Sequence, residues 1–141
     1  MSLEAEGLLL DGRYRLGGQI GAGSMSVVHE AEDLRLSRRV AIKFLRDEAS
    51  DELTERLFRE AKAAARADHP AVVTVFGYGT DAENGLHYLV MERLQGKDLA
   101  SRLGRQGPLA APLALRLCAE VADALDHVHR TGVVHRDLKP A

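Results

Sequence analysis

The chain has 141 residues and one cysteine, Cys118, so no internal disulfide can form. A lone cysteine of this kind reads as a small buried hydrophobe on a helix before it reads as a reactive thiol. No apolar run approaches the length of a bilayer span, and Leu8-Leu9-Leu10 is too short for the core of a signal peptide. Neither charge dominates. The formal net charge is -2, which gives no electrostatic reason to expect nucleic acid or an anionic membrane surface as partner. The six histidines lack metal-ligand spacing, and His127 and His129 point to different faces of a helical run. Internal repeats, low-complexity tracts and linkers are missing too. What remains is an ordinary balance of 45% hydrophobic and 28% charged residues, enough for one domain with a sizeable core.

The pattern runs strands first, then helices, which is the order of an α+β fold. Residues 14–20 and 26–32 read as two strands, with Gly21-Ala22-Gly23-Ser24 as the turn between them. A third strand is expected over 39–45, around the β-rich Val40-Ala41-Ile42. Residues 51–67 read as a helix: Leu53, Leu57, Ala61, Ala64 and Ala65 recur at helical spacing, and Asp51 and Glu52 suit its positive N-terminal end. His69-Pro70 breaks it. Two further strands are expected over 72–77 and 86–92, joined by a polar loop over 80–85. Beyond them, 98–103 reads as a short helix with Asp98 as N-cap. Pro112 then opens a longer helix in its first turn, where the missing N–H is harmless. Leu117, Val121, Leu125 and Val128 line one face of that helix, and Gly132 ends it. Residues 1–12 are expected to be a loose lead-in, 13–92 a first lobe and 93–141 the connector and start of a second.

Three segments carry chemistry. Gly21-Ala22-Gly23-Ser24-Met25-Ser26-Val27-Val28 follows a strand and leads into a strand. A Rossmann turn must open a helix, and a Walker loop ends in Gly-Lys-Ser/Thr, so both are excluded. Such a hairpin can close over phosphates, because its N–H groups approach without side-chain obstruction; taken alone it reads better as a plain flexible hairpin.

The second segment is Val40-Ala41-Ile42-Lys43. Alternation puts Ala41 and Lys43 on one face of the strand and Val40 and Ile42 on the other. An amine on an otherwise apolar strand needs a partner. Glu60 on the following helix is one candidate. Alternatively Lys43 reaches solvent and Glu60 pairs with Arg56 one turn back.

The third is His135-Arg136-Asp137-Leu138-Lys139-Pro140-Ala141. It follows the apolar pair Val133-Val134 and a Gly-ended helix. Asp137 is thereby placed at the tip of a tight loop, where a carboxylate can take a proton from a substrate hydroxyl.

In that order, these segments resemble a protein kinase: a Gly-rich hairpin, a V-A-I-K strand, a Glu-bearing helix and the start of H-R-D-L-x-x-x-N. The likeness runs over about 14–141. It implies a kinase-like N-terminal lobe, a five-stranded antiparallel sheet plus one helix, followed by the first helices of an incomplete C-terminal lobe.

The resemblance also implies roles. Ile20 and Val28 would roof the adenine of ATP, with Ala41 behind, and Gly21, Ala22, Gly23, Ser24, Met25 and Ser26 would form the phosphate loop. Lys43 and Glu60 would be the ion pair that holds the α- and β-phosphates, and Met91 the gatekeeper. The Glu92 carbonyl and the Leu94 N–H would meet the adenine edge. Asp137 would be the catalytic base and Lys139 the cation steadying the transferred phosphate. Lys139 two residues after Asp137 is the Ser/Thr-type pattern. Ser26 stands where the third glycine of G-x-G-x-x-G is usual, a departure similar to bacterial eukaryotic-like Ser/Thr kinases, as is His69-Pro70 beside an Ala-rich helix.

Mg²⁺ in this family takes oxygen ligands from the catalytic-loop Asn and the D-F-G Asp. Both positions would lie past Ala141, so the chain is expected to be truncated within the catalytic loop and inactive alone, with no metal ligand of its own. Asp81 falls in the polar loop and Asp98 near the hinge, so neither would replace them. Two functions follow from the resemblance: the front part of a Ser/Thr protein kinase acting on protein hydroxyls, or a non-catalytic kinase-derived lobe that binds a partner. A cytoplasmic location is expected, with any membrane anchor downstream. The apolar stripe on the last helix makes self-association an expectation as well.

Overall fold

The computed structural model describes residues 6–23, 26–45 and 51–140. Within the first helix, the side chains of Asp51, Leu53, Leu57 and Glu60 lie outside that description. The described elements are β1 (Leu9–Leu10), β2 (Tyr14–Ala22), β3 (Ser26–Asp33), β4 (Arg38–Leu45), α1 (Asp51–Arg66), β5 (Val75–Thr80), β6 (His87–Glu92), α2 (Leu99–Gln106) and α3 (Ala111–Arg130). Two compact units result. The first holds residues up to Ala65 together with Val73–Leu94, and the second Arg66–Val72 with Gln95–Ala141.

The first unit is built on one antiparallel sheet of order β1-β2-β3-β4-β6-β5. It has six strands where five were expected. The additional one, β1, falls inside the presumed loose lead-in. Leu10 pairs with Tyr14 and is wholly buried. Asp11 and Gly12 turn the chain back with φ of 47° and 60°, closed by Arg13 N–H donating to the Leu10 carbonyl at 2.9 Å. Two successive positive φ values in Asp-Gly are the signature of a tight hairpin turn. β5 also starts three residues later than expected. The His69 carbonyl takes the Val72 N–H at 3.0 Å and the His69 ring takes the Ala71 N–H at 3.0 Å, so this stretch is a turn.

Register places alternate residues on opposite faces. Tyr14, Leu16, Val27, Ala31, Val40, Ile42, Phe44, Tyr88 and Val90 share one face and, with Leu10, form the main core. Val40, Ile42, Phe44 and Val90 are sealed from solvent, each worth about 1.5–3 kcal/mol of burial. On the other face, Ala61 of α1 packs on Leu45 and Leu89 with Val75 alongside, and Phe58 lies against Tyr78 and His87.

Two buried carboxylates are fully employed. Asp33 receives the Arg13 guanidinium at 2.9 and 2.7 Å and the N–H groups of Arg35 and Leu36 at 3.2 and 3.3 Å. Chiefly through the bond from Arg13, its carboxyl is held below the ordinary carboxylate range. Burial alone would raise the Asp81 carboxyl. N–H donors from Asp11 and Asn84, with the Asn84 side chain, outweigh that and lower it.

In the second unit, α2 is capped as the sequence indicates. The Asp98 carboxylate accepts from the Ser101 N–H at 2.7 Å, and Gly107 closes the other end with φ 74°. α3 carries Pro in its first turn and ends at Thr131, with Gly132 at φ 83°. Ala124 is its one buried residue. Val121 is exposed and Leu117, Leu125 and Val128 are half-buried. His69 lies against this helix. Its Nδ1 already accepts from Ala71, so Nε2–H is the donor to Asp123 Oδ2 at 3.0 Å. The His127 ring is 5.4 Å away. Among the described residues no helix is long and apolar enough to cross a membrane.

Candidate active site

In the first unit, one face of the sheet brings together Gly21, Val28, Ala41, Lys43 and Met91 of the residues singled out by sequence. Gly21, Val28, Lys43 and Leu89 lie in one row across β2, β3, β4 and β6. Glu30, Ala41 and Met91 form the neighbouring row on the same face. Ala41 is buried, while Val28, Lys43 and Met91 are half-buried. The result is a surface that is apolar around Val28, Ala41, Leu89 and Met91 and carries the Lys43 amine and the Glu30 carboxylate.

β2 reaches this surface through two register shifts, between Leu16 and Gln19 and between Gln19 and Gly21. Ile20 is the extra residue of the second, and a bulge of this kind redirects a side chain. Ile20 stands 46% exposed although it is apolar. The first shift frees the Gly17 carbonyl, which receives Nδ1–H of buried His29 at 3.0 Å.

The hairpin after β2 closes with Gly23 N–H on the Ser26 carbonyl at 2.8 Å. Ser24 and Met25 lie outside the described residues. Neither Gly21 nor Gly23 has a positive φ. A Cβ on Gly21 would come no nearer than 3.7 Å to Val28, and one on Gly23 no nearer than 3.5 Å to Ser26. Among the described residues nothing demands glycine at either position. Glu60 sits on α1, but its side chain is outside the described residues, and so is any pairing with Lys43.

β6 ends at Glu92, whose N–H donates to the Thr74 carbonyl at 2.9 Å and whose carboxylate takes the Thr74 N–H at 2.8 Å. Arg93 follows, its Nε donating to Glu30 Oε2 at 3.0 Å and its Nη1 to the Leu94 carbonyl at 3.3 Å. Leu94 is 62% exposed. Neither Glu30 nor Arg93 stood out in the sequence.

In the second unit, the segment after α3 folds back on itself. The Asp137 N–H donates to His135 Nδ1 at 3.2 Å, and Arg136 between them has φ 62°. Lys139 Nζ lies 3.0 Å from Asp137 Oδ2, with both side chains largely in solvent. The Pro140 carbonyl takes the Ala100 N–H in the first turn of α2 at 3.1 Å. A carboxylate presented to solvent with an ammonium beside it can take a proton while the cation offsets negative charge on a neighbouring group. Among the described residues there is no cluster of three or more His, Cys, Asp or Glu able to hold a metal ion. Asp81 and Asp98 are both spent on N–H groups of the chain.

The family model of the protein kinase domain matches residues 14–141. The chain belongs to the protein kinase family. Serine/threonine-protein kinase PknA of Mycobacterium tuberculosis is 44% identical over 139 residues, which are 95% of this chain and 32% of that protein. Serine/threonine-protein kinase PrkC of Bacillus subtilis is 40% identical over 136 residues, 95% of this chain and 21% of that protein. The crystal structure of the Mycobacterium tuberculosis PknI kinase domain superposes with a TM-score of 0.81 at 30% identity, covering 97% of this chain and 56% of that one. The chain thus spans about a fifth to a third of these two curated relatives. The kinase-like fold expected from sequence is the one observed, with one more strand. Protein kinases as a family use ATP with Mg²⁺ and act on proteins.

Proposed function

We propose that this chain supplies the nucleotide-gripping sheet and the catalytic loop of an ATP-dependent protein Ser/Thr kinase. The observation that carries the reading is the shared face of Gly21, Val28, Ala41, Lys43 and Met91. An apolar surface suits a purine ring, and an amine at its side suits a phosphate. Glycines at 21 and 23, which no described neighbour requires, fit a backbone approached closely by a ligand.

In this reading Ile20 and Val28 lie over the adenine, with Ala41 and the Met91 gatekeeper behind it. The Glu92 carbonyl accepts from the base and the Leu94 N–H donates to it. Gly21, Ala22, Gly23, Ser24, Met25 and Ser26 shape the loop over the phosphates. Lys43, held by Glu60, binds the α- and β-phosphates. Asp137 takes the proton of a Ser or Thr hydroxyl, and Lys139 offsets charge on the phosphoryl group in flight. Mg²⁺, when bound, neutralises phosphate charge. A protein substrate and a cytoplasmic site of action belong to the same proposal.

The test is phosphate transfer by the full-length protein from Mg-ATP to a Ser/Thr-containing acceptor. Asp137→Asn should lower the rate by roughly 10²–10⁴-fold, the usual worth of a positioned base, with ATP binding retained. Lys43→Met should weaken both. Transfer unaffected by either substitution would refute the reading. ATP binding without any transfer would make the chain a non-catalytic kinase-derived module.

A further inference from the structure

The ion pair between Glu30 and Arg93 is placed oddly for a surface contact. Glu30 lies on the face that carries Lys43, in the same row as Ala41 and Met91. Arg93 sits between the two residues whose backbone groups would read the base. One guanidinium joins both places: Nε bonds to the Glu30 carboxylate at 3.0 Å and Nη1 to the Leu94 carbonyl at 3.3 Å. Both side chains are partly covered, at 28% and 38% exposure. A rigid planar fork that spans two acceptors fixes their relative position, which a lysine could not do.

β2 is shaped to leave room for this arrangement. Gly17 lies where the strand register shifts, and a Cβ there would come within 3.0 Å of Glu30 Cγ. A methyl there would push the Glu30 side chain aside by a few tenths of an ångström on its course towards Arg93.

We infer that Glu30 and Arg93 are positioning residues for purine selection: they hold the Leu94 backbone in register with the sheet face against which the base stacks. This rests on the nucleotide reading above. Adenine presents an N–H donor and a ring-nitrogen acceptor to the Glu92 carbonyl and the Leu94 N–H, whereas guanine presents the opposite pair. A tightly held pair of backbone groups rejects guanine, because a mispaired buried group is costly. A loosened one rejects it less. The phosphates and ribose are common to both nucleotides, so general damage to the fold would weaken ATP and GTP alike.

The experiment measures the ratio of ATP to GTP affinity for the full chain by competition with a fluorescent adenine nucleotide. Glu30→Gln and Arg93→Met should each lower the ratio roughly three- to fivefold, the scale of a partly exposed ion pair. Gly17→Ala keeps both charges but crowds Glu30, and should lower it in the same direction. An ATP preference that persists unchanged in both single variants overturns the inference and leaves the nucleotide reading standing. A wild-type chain without preference for ATP over GTP also overturns the inference, and one that binds neither nucleotide overturns both.

Discussion

The phenol of Tyr88 on β6 donates to the carboxylate of Asp11, 77 residues earlier in the chain. Asp11 in turn gives its backbone N–H to Asp81 at 3.0 Å, and Asp81 binds Asn84 in the loop between β5 and β6. The turn after β1 is thereby fastened to the far hairpin of the sheet. Burial pushes the Tyr88 phenol well above its ordinary range, so it remains a donor at any pH the fold survives.

Tyr88→Phe should therefore cost about 1 kcal/mol, the net worth of one such hydrogen bond. Gly79→Ala should cost more, about 1–3 kcal/mol. Its Cβ would meet the Tyr88 hydroxyl at 2.7 Å and the ring carbon beneath it at 2.8 Å, and the ring is buried and cannot swing away. Urea unfolding followed by circular dichroism measures both. A Gly79→Ala chain as stable as the parent would mean the β5–β6 pair is held less closely than described.

Asp33 gives the chain an acid limit. Its carboxyl is lowered from the ordinary value of 3.8, first by the bond from Arg13. A depressed folded value means the stabilisation is complete above the unfolded value and disappears as pH falls through the folded one. Thermal unfolding should thus be flat from neutral pH down to about pH 4 as far as Asp33 is concerned, and fall below it. Asp33→Asn should lower the melting temperature at neutral pH and reduce that acid dependence. An unchanged acid dependence in Asp33→Asn would assign it to other carboxylates.

Much of this arrangement was legible in the sequence because it rests on local rules. Alternation in Val40-Ala41-Ile42-Lys43 separated the core side from the amine side, and Asp98 announced a cap that the Ser101 N–H uses. β1 leaves no periodicity to read, because it is two residues long. Asp11-Gly12 was the available signal, a turn dipeptide between Leu10 and Tyr14. The late start of β5 was hidden because the His69 ring acts as a backbone acceptor, which apolar patterning does not register. The tie between Glu30 and Arg93 joins residues 63 apart. Nothing local marks it, and only the strand register reveals it.

The N-cap of α2 offers a local check in the second unit. Hydrogen bonds from the Ser101 hydroxyl and N–H hold the Asp98 carboxyl below its ordinary range. Asp98→Ala leaves the first-turn N–H groups without that acceptor. Amide exchange at Ser101 should speed up in the variant while the α3 amides keep their protection. Equal acceleration in both helices would indicate that the two unfold together rather than separately.

Gly21→Ala separates what the sheet needs from what a nucleotide needs. The backbone at Gly21 is not left-handed, and the added methyl would rest at 3.7 Å from Val28, an ordinary contact. Replacing glycine where alanine fits without strain stabilises a fold by about 0.4–1 kcal/mol, because the unfolded chain loses freedom. The same methyl would stand in the row of Val28 and Lys43, where the proposed phosphates approach the backbone. The melting temperature should hold or rise while ATP affinity falls roughly tenfold, equivalent to about 1.4 kcal/mol. Isothermal titration and thermal melts on the same preparation measure the two together. Were Gly21 a purely structural residue, the melting temperature would drop. Were it merely a surface residue, ATP affinity would not move. A loss of affinity with undiminished stability is the outcome that assigns Gly21 to the ligand.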